Sequence, residues 1–181
     1  MVSMWNIDPN EHNAKCGCYL SHTRLYQYIV TNKINDVLII EDDAYLINDI
    51  PDTKDLPQDG FTYLGGLSYN KKLTDGPLKV EFENGINKID HKKYRMLMTV
   101  AIYIPHHRYA QKMLDSCTKR GRPRAIDTML VHSHCSQYVS YPASFLERPE
   151  PSQIRKSKTK FSNSHYDRVT GKNIIEEMEN K

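Results

Sequence analysis

Three consecutive carboxylates, Glu41, Asp42 and Asp43, directly follow an apolar run at residues 37–40. The apolar run predicts a strand that is buried on both faces, as in a parallel sheet. Open α/β sheets bind ligands at the carboxyl ends of such strands. Adjacent carboxylates repel one another unless a cation shares the site, and their oxygen atoms suit Mg²⁺ or Mn²⁺, which also bind phosphate. By itself, the triplet fits either a metal site or a solvated turn that ends the strand.

Cysteine and histidine side chains offer a second potential metal site, formed by Cys16 and Cys18 together with His132, His134 and Cys135. Neither half has the ligand spacing that is usual in zinc sites, so zinc is the weaker alternative. The cysteines also lack the spacing of a disulfide framework. Because the N-terminus shows no signal peptide either, we expect a reducing, cytoplasmic location.

The composition is that of a globular protein. The 181 residues suffice for one domain with a substantial core, and 39% of them are hydrophobic. The net charge of +3 is too small, and Lys and Arg are too dispersed, to indicate a nucleic-acid partner. No stretch approaches the ~18–20 apolar residues that span a bilayer. The 12 tyrosines are compatible with a groove that stacks on sugars and equally with an ordinary core.

Strand and helix patterns alternate along the chain, which predicts the α/β class. The predicted elements are a helix at 14–31, strands at 37–41, 61–64 and 96–104, helices at 106–118 and 125–134, and a final strand at 138–141. The pair Gly65-Gly66 is expected to end the second of these strands. We predict one domain over residues 1–155, followed by a polar, flexible tail over residues 156–181.

Short sequence blocks along the chain are weak signals singly but specific in combination. The clearest are GCYLSH at residues 17–22, followed by a helix, and IIEDD at residues 39–43. Three later blocks follow in order, namely YLGG at 63–66, TVAIYIP at 99–105 and AID at 125–127. Together they resemble glycosyltransferase family 25, which contains bacterial lipooligosaccharide galactosyltransferases and the related collagen galactosyltransferases. The resemblance extends over residues 14–155.

The resemblance implies a GT-A fold, with a twisted, mainly parallel sheet, helices on both faces and a metal at the strand ends. In that frame Mn²⁺ or Mg²⁺ binds to Asp43 first and Glu41 second, and neutralises the diphosphate leaving group. Asp42 is expected to point to the other side of the strand end, towards donor hydroxyls or backbone. The implied donor-binding residues are Ser21, His22, Glu41, Asp42, Gly65 and Gly66.

The resemblance also implies that Asp127 is the general base, which takes the proton of the acceptor hydroxyl in an inverting displacement. Each role has a structural alternative. Asp127 could cap the helix that starts there. His22 could be a structural histidine, and Gly65-Gly66 could be an ordinary turn. The sequence leaves these alternatives open.

The implied function is the metal-dependent transfer of a hexose, from UDP-galactose or UDP-glucose, to a glycan or glycoprotein acceptor. Family members usually carry a further nucleotide-binding strand and helix ahead of the GCYLSH block, whereas sixteen residues precede Gly17. We therefore expect a fragment, a natural short form or a degenerate relative. The alternative function is a non-catalytic domain that binds carbohydrate or a protein partner. A metal-dependent phosphoesterase or nuclease is the third hypothesis.

Overall fold

A computed structural model describes residues 9–70, 82–90, 94–119 and 125–147. The α-helices in these ranges are α1 (Pro9–Thr31), α2 (His107–Thr118) and α3 (Ile126–Leu130). The strands are β1 (Val37–Ile40), β2 (Ala44–Leu46), β3 (Gly60–Asn70), β4 (Gly85–Lys88), β5 (Tyr94–Ile104), β6 (Ser136–Tyr141) and β7 (Phe145–Glu147). A short 3₁₀ helix, Thr53–Asp55, precedes β3. None of the described helices is both long enough and apolar enough to cross a membrane. The predicted α/β class is confirmed.

The seven described strands form one mixed sheet, whose main path runs β1-β5-β3-β6-β4. Strand β7 pairs with both β2 and β3 beside this path. Four of the six pairings among described strands are antiparallel, and only β3–β6 and β3–β7 are parallel. The expectation of a mainly parallel sheet is therefore wrong, because apolar runs report burial rather than strand direction. The seven-stranded sheet with its packed helices remains consistent with a GT-A-like fold.

Strand β1 lies at one end of the main path and pairs with β5. Ile39 on this strand is buried in the core, whereas Ile40 is 48% exposed. The prediction that β1 is buried on both faces is therefore wrong, since successive side chains point to opposite faces. The described residues cover the Ile39 face but leave the Ile40 face partly open at the end of the strand.

All three α-helices contribute to one core cluster against the sheet. Within α2, Tyr109, Met113 and Cys117 recur every fourth residue, which is a helical spacing, and all three are buried. Leu64 and Phe145 belong to a second cluster, to which no α-helix in the described ranges contributes. Among the described residues the helices therefore share one side of the sheet, not both sides as the resemblance implied.

Helix α1 begins at Pro9 rather than at residue 14. Proline is well tolerated in the first helical turn, because the N–H that it lacks would have no helical partner there. The earlier start places Ser21 and His22 in the middle of α1 instead of at its beginning. Their backbone N–H groups are therefore committed to the helix and do not form an anion-binding N-terminus.

The buried side of α1 was not predicted from the sequence. His22, Tyr26 and Ile29 are buried, with exposures of 8%, 0% and 1%. Leu25 and Tyr28, whose helical spacing with Cys18 and Ile29 indicated a helix in the sequence, are 37% and 60% exposed. The buried stripe is thus partly polar, which is why hydrophobic periodicity did not locate it.

The later part of the sheet contains strands that the sequence patterns did not predict. Strands β2, β4 and β7 are short, and β7 follows the strand that was predicted to be the last. Strand β3 continues through Gly65 and Gly66 with an irregular register against β5, instead of ending there. Helix α3 ends at Leu130, earlier than predicted. The predicted tail at 156–181 lies outside the described residues, and the single domain over 1–155 stays a prediction.

Gly65 and Gly17 offer a matched pair of substitutions. A Cβ atom at Gly65 would lie 2.5 Å from the carbonyl oxygen of Phe145 and 2.7 Å from Val100 Cγ2, whereas one at Gly17 meets nothing within 4 Å. We expect Gly65→Ala to destabilise the protein by about 1–3 kcal/mol through overpacking. Gly17→Ala should stabilise it by about 0.5–1 kcal/mol, because alanine favours a helix interior. Urea denaturation of both variants measures the difference, and equal effects would contradict the packing at Gly65.

Candidate functional site

The carboxylate triplet lies directly after β1, where the chain turns into β2. The backbone N–H of Glu41 donates to the carbonyl of Val100 at 2.9 Å, so pairing with β5 extends to Glu41. The N–H of Ala44 donates to the carbonyl of Glu41 at 3.1 Å and closes the turn. Asp42 is exposed, whereas Glu41 and Asp43 are half-buried. Atom Oδ1 of Asp43 is shielded from solvent. Glu41 and Asp43 therefore share a more buried setting than Asp42.

His22 connects the middle of α1 to this strand end. Its Nε2 atom lies 3.2 Å from Oε1 of Glu41, and its Nδ1 atom lies 3.3 Å from the hydroxyl of Tyr26. Burial alone would lower the pKa of His22, but hydrogen bonds to the side chains of Cys18 and Glu41 and the charge of Glu41 outweigh it. The pKa of His22 is raised to about 9. His22 is therefore cationic at neutral pH and forms an ion pair with Glu41.

Glu41 lies in the electrostatic field of several charged groups. Burial raises the pKa of Glu41, and the hydrogen bond and charge of His22 lower it. The charges of Asp127 and Asp43 raise the pKa of Glu41 further, and the net direction is upward. The carboxylates of Asp43, in the turn after β1, and of Asp127, on α3, therefore both repel the carboxylate of Glu41.

Asp127 lies in the first turn of α3 and reaches across to β5. The hydroxyl of Thr99 donates to Oδ1 of Asp127 at 2.6 Å, and the backbone N–H of Thr99 donates to the same atom at 3.4 Å. The N-cap residue of α3 is Ala125, which makes no side-chain capping bond. The side chain of Asp127 thus accepts hydrogen bonds from the neighbouring strand β5. Asp127 does not occupy the N-cap position of α3.

The remaining predicted donor-binding residues are more scattered. Ser21 is exposed on α1, beside the buried His22. Gly65 is buried in β3, and the group that approaches it closely is the carbonyl of Phe145. Gly66 has φ of 136°, a backbone conformation that favours glycine. The fold by itself therefore explains why both positions are glycine. Contact of these glycines with a sugar stays a prediction.

Sequence patterns did not single out Tyr26 and Thr99, although both orient predicted site residues. Cys18 was grouped with Cys16 and with the histidines near residue 132. The structure instead brings the ligand atoms of Cys18, His22 and Glu41 within 4.8 Å of one another. The signal that could have found this arrangement is the spacing of Cys18, His22 and Tyr26 by four residues, which aligns them on one side of a helix.

The sequence model described as glycosyltransferase family 25 (LPS biosynthesis protein) matches residues 12–130. The chain belongs to glycosyltransferase family 25. The matched region reaches from α1 to the end of α3 and includes every site residue that the resemblance implied, whereas β6 and β7 lie beyond it. Comparisons with curated proteins and with solved structures found no match.

The resemblance to family 25 implied a divalent cation, and the chemistry of the residues present fits one. Glu41 and Asp43 supply carboxylate oxygens, which hard cations such as Mn²⁺ and Mg²⁺ prefer. The raised pKa of Glu41 reflects in part the nearby charges of Asp127 and Asp43. A bound cation would relieve that repulsion, so these carboxylates are suitable ligands.

Proposed function

We propose that this family 25 protein is a metal-dependent hexosyltransferase that moves galactose or glucose from a UDP-sugar to a glycan or glycoprotein acceptor. One observation carries the proposal: the backbone of Glu41 bonds to Val100, and the neighbouring Thr99 donates to Asp127, so the turn after β1 and helix α3 meet at β5. Transfer from a nucleotide sugar needs a site for the diphosphate and a base for the acceptor hydroxyl. This group of carboxylates offers both, and membership in the family supports the reaction class.

In the proposed reaction, the acceptor hydroxyl attacks the anomeric carbon while the bond from that carbon to the diphosphate breaks, and UDP leaves. Asp127 accepts the proton of the attacking hydroxyl. The two hydrogen bonds from Thr99 fix one oxygen of Asp127 and so hold its carboxylate in a defined orientation. Because the reaction is a single displacement, the configuration at the anomeric carbon is inverted.

Asp43 and Glu41 are the proposed ligands of Mn²⁺ or Mg²⁺, which supplies charge neutralisation for the diphosphate when it is bound. The ion pair with His22 supports this role, because it restricts the orientation of Glu41. The proposed donor contacts come from Ser21, His22, Glu41, Asp42, Gly65 and Gly66. His22 faces Glu41, while Ser21 and Asp42 are exposed beside it and accessible to a ligand.

The test is to incubate the 181-residue chain with UDP-galactose or UDP-glucose and a lipooligosaccharide acceptor, and to measure UDP release with Mn²⁺ or with EDTA. We expect release that requires both metal and acceptor, and NMR of the product should report an inverted anomeric centre. Calorimetry with UDP and Mn²⁺ separates the alternatives. If the folded chain binds no UDP, the non-catalytic domain becomes the better explanation.

Thr99 allows the orientation of Asp127 to be tested separately from its charge. Thr99→Val keeps the side-chain shape but removes the hydroxyl that donates to Asp127 at 2.6 Å. A hydrogen bond to a charged group contributes about 1.5–3 kcal/mol, so we expect kcat to fall about tenfold or more. The KM for the donor should change little, and Thr99→Ser should restore most of the rate. A KM effect without a kcat effect would contradict this role.

A further inference from the structure

Three side chains of different ligand type meet between α1 and the end of β1. The Sγ atom of Cys18, a ring nitrogen of His22 and a carboxylate oxygen of Glu41 all lie within 4.8 Å of one another. Cys18 and His22 are one helical turn apart on α1, which places them on the same side of the helix. Glu41 approaches from the strand. Cys18 and Glu41 are half-buried, so the group borders solvent on one side while His22 is enclosed.

Tyr26 fixes the orientation of the imidazole in this group. Its hydroxyl lies 3.3 Å from Nδ1 of His22, and Tyr26 itself is completely buried. The other ring nitrogen, Nε2, is then directed towards Glu41, at 3.2 Å from Oε1. Metal-binding histidines characteristically use one ring nitrogen as the ligand and engage the other in a hydrogen bond that fixes the ring. Tyr26 provides such a bond.

The distances fit a small tetrahedral ion. Zinc binds sulfur at about 2.3 Å and nitrogen or oxygen at about 2.0–2.2 Å, so that its ligands lie about 3.4–3.6 Å apart. The observed separation of 3.2 Å between His22 and Glu41 is close to that value. The sulfur of Cys18 lies within 4.8 Å of a ring nitrogen of His22 and of a carboxylate oxygen of Glu41. Thiolate and imidazole ligands favour zinc over magnesium or manganese, which prefer oxygen.

We propose that Cys18, His22 and Glu41 form a three-ligand site for Zn²⁺, with the fourth position open to water or to an oxygen ligand. Binding of Zn²⁺ releases the proton of His22 Nε2 and that of the Cys18 thiol, because metal ligands must be deprotonated. Such a site joins the middle of α1 to the end of β1. It shares Glu41 with the hexosyltransferase site, and a carboxylate has two oxygens through which it can contact separate ions. The zinc site does not depend on sugar transfer, because its binding requires neither nucleotide nor acceptor.

Cobalt spectroscopy on the metal-free, full-length chain tests the proposal without any activity assay. Co²⁺ replaces Zn²⁺ in tetrahedral sites and gives intense visible bands together with a thiolate charge-transfer band. We expect one tightly bound Co²⁺ per chain with both features, and displacement of Co²⁺ by Zn²⁺. A cobalt spectrum without the thiolate band, or weak binding of several ions, would overturn the site.

Matched cysteine variants identify the sulfur ligand. Cys18→Ser should remove the thiolate band and weaken Zn²⁺ binding at least tenfold, whereas Cys16→Ser, two residues away on the same helix, should retain both. Glu41→Gln should weaken binding while the thiolate band persists. Circular dichroism checks folding, and Cys18→Ala replaces Cys18→Ser if the serine variant is unfolded. Retention of the thiolate band in either Cys18 variant would refute the proposal.

Discussion

Asp127→Asn is expected to reduce sugar transfer by about 10²–10⁴-fold, the usual loss when a general base is removed. Asparagine has nearly the same shape as aspartate, and its oxygen can still accept the hydrogen bonds that Thr99 donates to Oδ1. Its amide cannot accept a proton at neutral pH. We therefore expect a folded variant that binds UDP and Mn²⁺ normally but transfers sugar slowly. Initial rates, together with calorimetry of UDP binding, measure both properties.

Asp115→Asn is the matched control for this prediction. Asp115 is half-buried on α2 and accepts a hydrogen bond from Gln111 at 2.7 Å. The variant therefore loses a comparable carboxylate at a residue that is not part of the proposed site. We expect its transfer rate to remain within about twofold of the parent, because most substitutions away from a site have small effects. Parallel loss of UDP binding in Asp127→Asn would instead assign Asp127 a structural role.

Asp43→Asn is expected to abolish Mn²⁺-dependent binding of UDP while leaving the fold intact. Asp43 is the proposed first metal ligand, and replacing one of few carboxylate ligands by a neutral amide removes charge that the cation requires. The charge of Asp43 also raises the pKa of Glu41, so its removal relieves repulsion in the metal-free protein. We expect the melting temperature without metal to be unchanged or higher. Calorimetry with UDP and Mn²⁺ measures binding, and thermal unfolding measures stability.

The control for charge alone is Asp49→Asn, which neutralises an exposed aspartate in the loop after β2. It should leave both UDP binding and the melting temperature as in the parent, since exposed charges contribute little. If Asp43→Asn bound UDP and Mn²⁺ as tightly as Asp49→Asn, the metal would have to lie elsewhere than at Asp43.

The sequence predicted those elements whose buried residues follow one regular pattern along the chain. Strand β5 was recognised from a long apolar run, and α2 from apolar residues that recur at helical spacing. Strand direction was not predictable in this way, because pairing depends on which segments meet in three dimensions. The short strand β7, for example, pairs in parallel with β3 at Gly65 and in an antiparallel manner with β2.

The site was predictable where its residues adjoin in sequence, and much less so where they do not. The carboxylate triplet was evident as a unit, and Asp127 was proposed only because of a family resemblance. The contact of Thr99 with Asp127 joins residues 28 positions apart on different elements. The buried side of α1 was not predicted, because the polar His22 interrupts its apolar character. Polar side chains that serve the chemistry of a site interrupt the hydrophobic periodicity from which buried residues are predicted.

The interior position of β6 in the sheet has a consequence for how the chain folds. Strand β6 lies between β3 and β4, and its Gln137 accepts a hydrogen bond from Tyr63, 74 positions earlier in the chain. Helices form within about a microsecond, but closing so long a loop carries an entropic cost that slows folding. During synthesis, the part of the sheet between β3 and β4 therefore cannot form until β6 has been made, and β6 is the second-to-last described strand. Until β6 arrives, β3 keeps an unpaired edge, the kind of surface through which nascent chains aggregate.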